Sequence, residues 1–201
     1  MIGVVDYGAG NLASVGYALD RLGERWQVVA RPGDLDEIDE VVFPGVGAAG
    51  PAMAKLAAAG LDAALIRYLE AGGAYLGICL GLQLLFSRSA EDGAEGLGVM
   101  TGEVVRLPTS ERLPHVGWSP IEAAPSSRLL ASEDGQPFYF THSYAVEPRE
   151  QPEVAAWASH GCRFVCAVER GRLFGVQFHP ERSGPAGARL LARFLALSRG
   201  A

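Results

Sequence analysis

Two short stretches of this chain carry residue types that can do covalent chemistry together. The first is Gly77-Ile78-Cys79-Leu80-Gly81, which follows the apolar run Ala74-Tyr75-Leu76 and leads into Leu82, Leu85 and Phe86 at helical spacing. Small residues two before and two after a nucleophile allow a sharp strand-to-helix turn. Such a turn lifts the side chain out of a sheet and aims backbone N–H groups where an oxyanion would form. With cysteine at the apex, the chemistry is attack of a thiolate on a carbonyl. Taken alone, the pattern equally describes a buried cysteine in a tight turn. The second stretch is Gly175-Val176-Gln177-Phe178-His179-Pro180-Glu181. In extended chain, residues two apart face one side, so Glu181 can hold one ring nitrogen of His179 while the other faces Cys79. Nucleophile, base and orienting carboxylate are the parts of a triad. Their order here is Cys, His, Glu, unlike the Ser, Asp, His order of the α/β-hydrolases.

The other two cysteines, Cys162 and Cys166, lie in a segment that alternates like a strand. Four strand residues span about 13 Å, too far for a disulfide. Both are expected to face the same side as Phe164 and Val168, as small core or interface residues. No Cys/His grouping has zinc-site spacing, and neither a metal nor a cofactor is expected.

The elements that must position these groups come in two styles. In the first half, Ile2–Asp6, Trp26–Ala30, Val41–Phe43 and Ala74–Ile78 read as strands, with helices over Asn11–Leu22 and Leu61–Ala71. That alternation predicts an α/β fold with a mostly parallel central sheet flanked by helices. The second half predicts short strands: Val104–Leu107, Trp118–Glu122, Phe138–Phe140, Val154–Trp157, Phe164–Glu169 and Leu173–Phe178. Arg170-Gly171 reads as a hairpin turn between the last two. A helix over Pro185–Ser198 closes the chain. Residues 87–97 and 108–117, rich in Ser, Gly, Glu and Pro, read as loops.

At 201 residues the chain is expected to form one domain, residues 1–201, with ample material for a core. A net charge of −6, with Lys55 the only lysine, argues against a nucleic-acid backbone as partner. The start reads directly as a strand without a charged leader, and the longest apolar stretch, around residues 74–86, is too short to span a bilayer. A cytoplasmic protein is expected.

Several further blocks turn these readings into a resemblance. They are Asp6-Tyr7-Gly8-Ala9-Gly10-Asn11-Leu12, Pro44-Gly45-Val46-Gly47, the stretch Gly77–Phe86, Pro114-His115-Val116-Gly117-Trp118, His142-Ser143-Tyr144 and Gly175–Ser183. Together they resemble class I glutamine amidotransferases, and among them the glutaminase subunits of imidazole glycerol phosphate synthase. The resemblance implies a flavodoxin-like sheet with an antiparallel, strand-rich second half. It implies that Cys79, His179 and Glu181 hydrolyse glutamine through a thioester, with oxyanion donors from Leu80 and from the Val46 and Gly47 backbone. Gln83, Glu91, Ser143 and Tyr144 match positions that hold glutamine. Asn11, Trp118, Tyr139 and Arg182 match positions near the interface with a (β/α)₈-barrel cyclase subunit, which uses the ammonia for histidine biosynthesis. Trp118 and Tyr139 also fit as core aromatics, and His142 reads best as a structural histidine.

Two departures touch the docking side. Ala49 stands where the family usually has an aromatic, and Arg182 where it usually has Lys, exchanging a point charge for a planar fork. Three rival readings stay in view. Glutaminase subunits of chorismate-using synthases usually carry Pro-Gly-Pro-Gly and His-Ser-Leu, whereas this chain has Val46 and Tyr144. A catalytically silent regulatory module would lack the nucleophile or the base. A redox-sensing thiol protein has no use for His-Pro-Glu or Gln83.

Overall fold

Every residue of Ala74–Cys79 is buried, as befits a strand covered by helices on both faces. The computed structural model describes residues 1–149 and 153–200. The strands are β1 (Ile2–Val5), β2 (Trp26–Val29), β3 (Glu40–Gly45), β4 (Ala74–Cys79), β5 (Phe86–Ser89), β6 (Met100–Arg106), β7 (His115–Pro120), β8 (Glu122–Ala123), β9 (Pro137–His142), β10 (Tyr144–Pro148), β11 (Val154–Ser159), β12 (Arg163–Arg170) and β13 (Leu173–Val176). The helices are α1 (Leu12–Arg21), α2 (Ala49–Ala59), α3 (Leu61–Glu70), the single turn α4 (Leu80–Gln83) and α5 (Gly184–Ser198).

The main sheet runs β2-β1-β3-β4-β13-β12-β10-β6-β5. Its first five strands are mutually parallel, while β12, β10 and β6 continue it antiparallel. The fold is thus the α/β sheet expected, in the flavodoxin-like order, with β13 from the far end of the chain as fifth parallel strand. A separate two-stranded ribbon joins β7 to β9. Alternation along β4 divides the interior in two. Ala74, Leu76 and Ile78 pack with α1 and α5, and Tyr75 faces the core formed with α2 and α3.

Several expectations need correction. Helix α2 was not legible as an amphipathic stripe, because its sequence is mostly alanine; its helix-forming strength is intrinsic. The helix after Cys79 does not reach Phe86. The returning chain takes the carbonyls of Leu84, Leu85 and Phe86 for the N–H groups of Leu97, Met100 and Gly98, so the helix stops after one turn. Residues 87–97 include part of β5, and 108–117 include the start of β7. The turn before β13 is Gly171-Arg172, set by the pairing of Arg170 with Leu173. Cys166 and Phe164 do share a core, but Val168 faces the other one. A register irregularity against β11 opposes one residue to two near Cys166 and breaks the alternation.

Candidate active site

Register places the chemistry. Gly45 of β3 is paired with Cys79 of β4, and Ile78 of β4 lies between Pro44 of β3 and Val176 of β13. The Pro44–Gly47 segment, Cys79 and the Gln177–Glu181 segment therefore emerge side by side at the carboxyl ends of three adjacent parallel strands, where α/β sheets bind ligands.

Cys79 adopts φ 54° and ψ −107°, and among the described residues it is the only non-glycine with positive φ. Its neighbours explain how that strain is held. A Cβ on Gly77 would strike the backbone of Gly81, and one on Gly81 would strike the Phe43 carbonyl of β3. The buried Tyr75 hydroxyl then donates to the Gly81 carbonyl at 2.8 Å and fixes the first turn of α4. The thiol is consequently presented at the base of a cleft of about 360 Å³, lined by Val46, Gly47, Gln83, Glu91, His142, Ser143, Tyr144 and His179.

His179 Nδ1 lies 2.8 Å from Glu181 Oε1, and both side chains are essentially buried. The pair is not made by extended chain, as the spacing predicts. Pro180–Arg182 form a 3₁₀ turn after an extended His179, and the turn brings the carboxylate back to the ring. Burial alone would depress the His179 pKa, but Cys79 and Glu181 outweigh it and raise it to about 10. The arrangement favours an imidazolium beside the Cys79 sulfur, with the proton at Nδ1 directed to the carboxylate.

Asn11, which the resemblance places near the partner interface, also has a contact inside the site. Its Nδ2 donates to Glu181 Oε1 at 3.0 Å, so it anchors the orienting carboxylate from the start of α1. Trp118 and Arg182 are exposed and both pack on the half-buried Tyr139: the Arg182 guanidinium lies 4.5 Å from the Tyr139 ring centre, and Trp118 meets that ring edge-on at 6.0 Å. Tyr139 also ties this group to the imidazole, since its carbonyl accepts the His179 N–H at 2.9 Å.

The oxyanion segment holds a residue that sequence reasoning missed. Tyr7, buried beside Phe43, accepts the Val46 N–H at 3.1 Å and donates to the Val46 carbonyl at 3.2 Å. The Val46 N–H, among the expected donors, is therefore engaged by the Tyr7 hydroxyl. Glu91 sits exposed at the cleft mouth, with its pKa raised by burial and by Asp92. Gln83 gives both amide hydrogens to the protein, at 3.1 Å to the Tyr144 carbonyl and 3.0 Å to Gln177 Oε1. Its oxygen is what remains for a ligand.

His142 belongs to a buried chain of rings. Its Nδ1–H donates to the Tyr144 carbonyl at 2.9 Å, which leaves Nε2 to accept from His115 Nδ1 at 3.2 Å. His160 stacks on His115 at 4.3 Å. Burial, with the neighbouring rings adding to it, lowers His115 to about 4 and His142 to about 3. Their stabilising effect is fully present above the ordinary histidine value of 6.5 and is lost as pH falls through about 4 and 3. The melting temperature is therefore expected to drop by several degrees between about pH 6.5 and 4, which scanning calorimetry would read; a flat profile there would refute it.

The sequence profile of the glutamine amidotransferase class-I family matches residues 3–197. The chain belongs to the class-I glutamine amidotransferase family. This amidotransferase is 46% identical over 200 residues to the imidazole glycerol phosphate synthase subunit HisH of Moorella thermoacetica, covering 98% of this chain and 95% of that one. It is 47% identical over 198 residues to the subunit of the same name from a Synechococcus strain, covering 96% and 93%. A crystal structure of a glutamine amidotransferase superposes with a TM-score of 0.80 at 22% identity, covering 98% of both chains, which supports the fold. Among the described residues, no single helix is long and apolar enough to cross a membrane.

Proposed function

We infer that the protein is the glutaminase subunit of an imidazole glycerol phosphate synthase, serving histidine biosynthesis in the cytoplasm as a single catalytic unit. The observation that carries this reading is the convergence of Cys79, the His179–Glu181 pair and the Gly45–Gly47 segment on one cleft. It occurs in a chain whose relatives are HisH subunits along nearly their whole length.

The Cys79 sulfur attacks the side-chain amide carbon of glutamine. The oxyanion that forms meets the Leu80 N–H and, once it turns inward, the backbone N–H of Val46 or Gly47. The proton held by His179 passes to the departing ammonia. Water, activated by the same imidazole, then hydrolyses the glutamyl thioester. Glu91, the Gln83 oxygen and the Ser143-Tyr144 backbone hold the amino-acid end of the substrate. No cofactor enters these steps. The ammonia goes to a (β/α)₈-barrel cyclase subunit, docked over Trp118, Tyr139 and Arg182. Co-purification with such a barrel, and glutamate release that rises when the barrel's ligand is added, would test the reading. Failure of both would overturn it.

Two substitutions probe the roles separately. Glu181→Gln should reduce turnover less than His179→Ala, because the carboxylate orients the ring without exchanging its proton. Steady-state glutaminase rates that are equal in Glu181→Gln and the parent would assign the orienting role elsewhere. Arg182→Ala should weaken ligand-stimulated hydrolysis more than it lowers the melting temperature, since the side chain is exposed and stacked on Tyr139. Arg182→Lys should keep most of the stimulation. Normal stimulation and normal partner affinity in Arg182→Ala would mark it as a solvated surface cation.

A further inference from the structure

The polarity of one buried chain of amides is dictated by a group that cannot donate. The Tyr144 carbonyl only accepts, and it lies 3.1 Å from one end of the Gln83 side chain, so that end is the NH₂. The same NH₂ lies 3.0 Å from one end of Gln177, which must then be its oxygen. The other end of Gln177 is consequently an NH₂, and it lies 3.5 Å from Cys79 Sγ. His142 pins the starting carbonyl with a second hydrogen bond of 2.9 Å. Gln177 is wholly buried and Gln83 nearly so, so water does not compete for these contacts. No step of the hydrolysis described above uses Gln177.

We propose that Gln177 is a further catalytic residue: it donates a hydrogen bond to the Cys79 sulfur and favours the thiolate over the thiol, with Gln83 and the Tyr144 carbonyl as the groups that position it. A thiolate gains a donor here, whereas an S–H group gains no acceptor, because the polarity of the chain fixes which end of Gln177 faces the sulfur. A hydrogen bond to the charged form of a group shifts its equilibrium toward that form, and the dry surroundings strengthen the effect. The chain also gives Gln83 two tasks at once, since fixing its NH₂ inward leaves its oxygen toward the cleft. This inference rests on Cys79 being the nucleophile of the proposed glutaminase.

The test reads the sulfur directly. In the full chain, carbamidomethylation of Cys79 by iodoacetamide, followed by mass spectrometry of the peptide that contains it, should be about tenfold slower at neutral pH in Gln177→Met than in the parent. The deficit should close as pH rises. Gln83→Met should slow the reaction in the same direction by a smaller factor, because Gln177 is then free to turn its oxygen to the sulfur. In the complex with the ammonia-using partner, kcat for glutamine should fall in Gln177→Met with KM nearly unchanged. Alkylation at the parent rate across the pH range in Gln177→Met would overturn the proposal. Should that variant fail to melt cooperatively, parent-like alkylation in Gln83→Met would overturn it equally. Glutamine turnover that persists in Cys79→Ala would instead count against the nucleophile assignment, so the two failures are distinguishable.

Discussion

Cys79→Ala is expected to abolish glutamine hydrolysis, a loss on the order of 10⁶ in turnover, while free ammonia still supports synthesis by the partner subunit. Without the sulfur no thioester forms, and neither remaining thiol can replace it. Cys166 lies in the core, where burial pushes its thiol well up. Cys162 is half-buried, and its thiol is also raised by burial. The substitution has a second readout. Beyond burial, which acts against it, Cys79 is the foremost group raising the His179 pKa. In Cys79→Ala the His179 ring should therefore titrate below about 10, still held up in part by Glu181, and NMR of the ring protons would follow it. Glutamate release surviving in this variant would sink the assignment of Cys79. An unchanged ring titration would show that the imidazole is raised by something other than the sulfur.

The parts of the site that local patterns control were legible in the sequence. Gly77 and Gly81 announced the turn at Cys79, and the structure gives each a backbone neighbour that excludes a Cβ. The parallel half of the sheet followed from the apolar runs that become β1 to β4. Residue types and the resemblance joined His179 to Cys79, but the strand pairing between distant segments that does so is in no local pattern. That β13 lies against β4, bringing His179 to Cys79, depends on a register across about a hundred residues. Asn11 illustrates the same limit. Its position in the opening block suggested docking, and no local signal announced its further bond to Glu181 across 170 positions. Gln177 sat inside a recognised motif without a role, because its partner Gln83 is 94 residues away. Tyr7 was legible only as part of the same opening block, although a tyrosine beside a glycine-rich turn is a residue whose hydroxyl must find a partner when buried.

The isolated subunit should turn over glutamine at least about 10²-fold more slowly than the same chain docked to its partner with the partner's ligand bound. The reason is visible at Val46. Its N–H donates to the Tyr7 hydroxyl at 3.1 Å while the same hydroxyl donates to its carbonyl at 3.2 Å, so this backbone is held from both ends. The Val46 N–H is then withheld from the oxyanion, and a missing donor costs about 10² to 10³ in rate. The neighbouring Gly47, at φ 91°, needs no side-chain accommodation to let the peptide turn, and the Val46 side chain is exposed where a partner could press on it. Tyr7→Phe separates this account from a general need for docking. Loss of the hydroxyl frees the Val46 N–H, so the isolated variant should gain basal turnover and the stimulation factor should shrink, since the docked state is already released. Measured kcat with and without the ligand-bound partner, in parent and variant, decides it. Parent-like basal rates and parent-like stimulation in Tyr7→Phe would show that Tyr7 is no brake. Full activity in the isolated parent would mean that the oxyanion hole is complete without Val46.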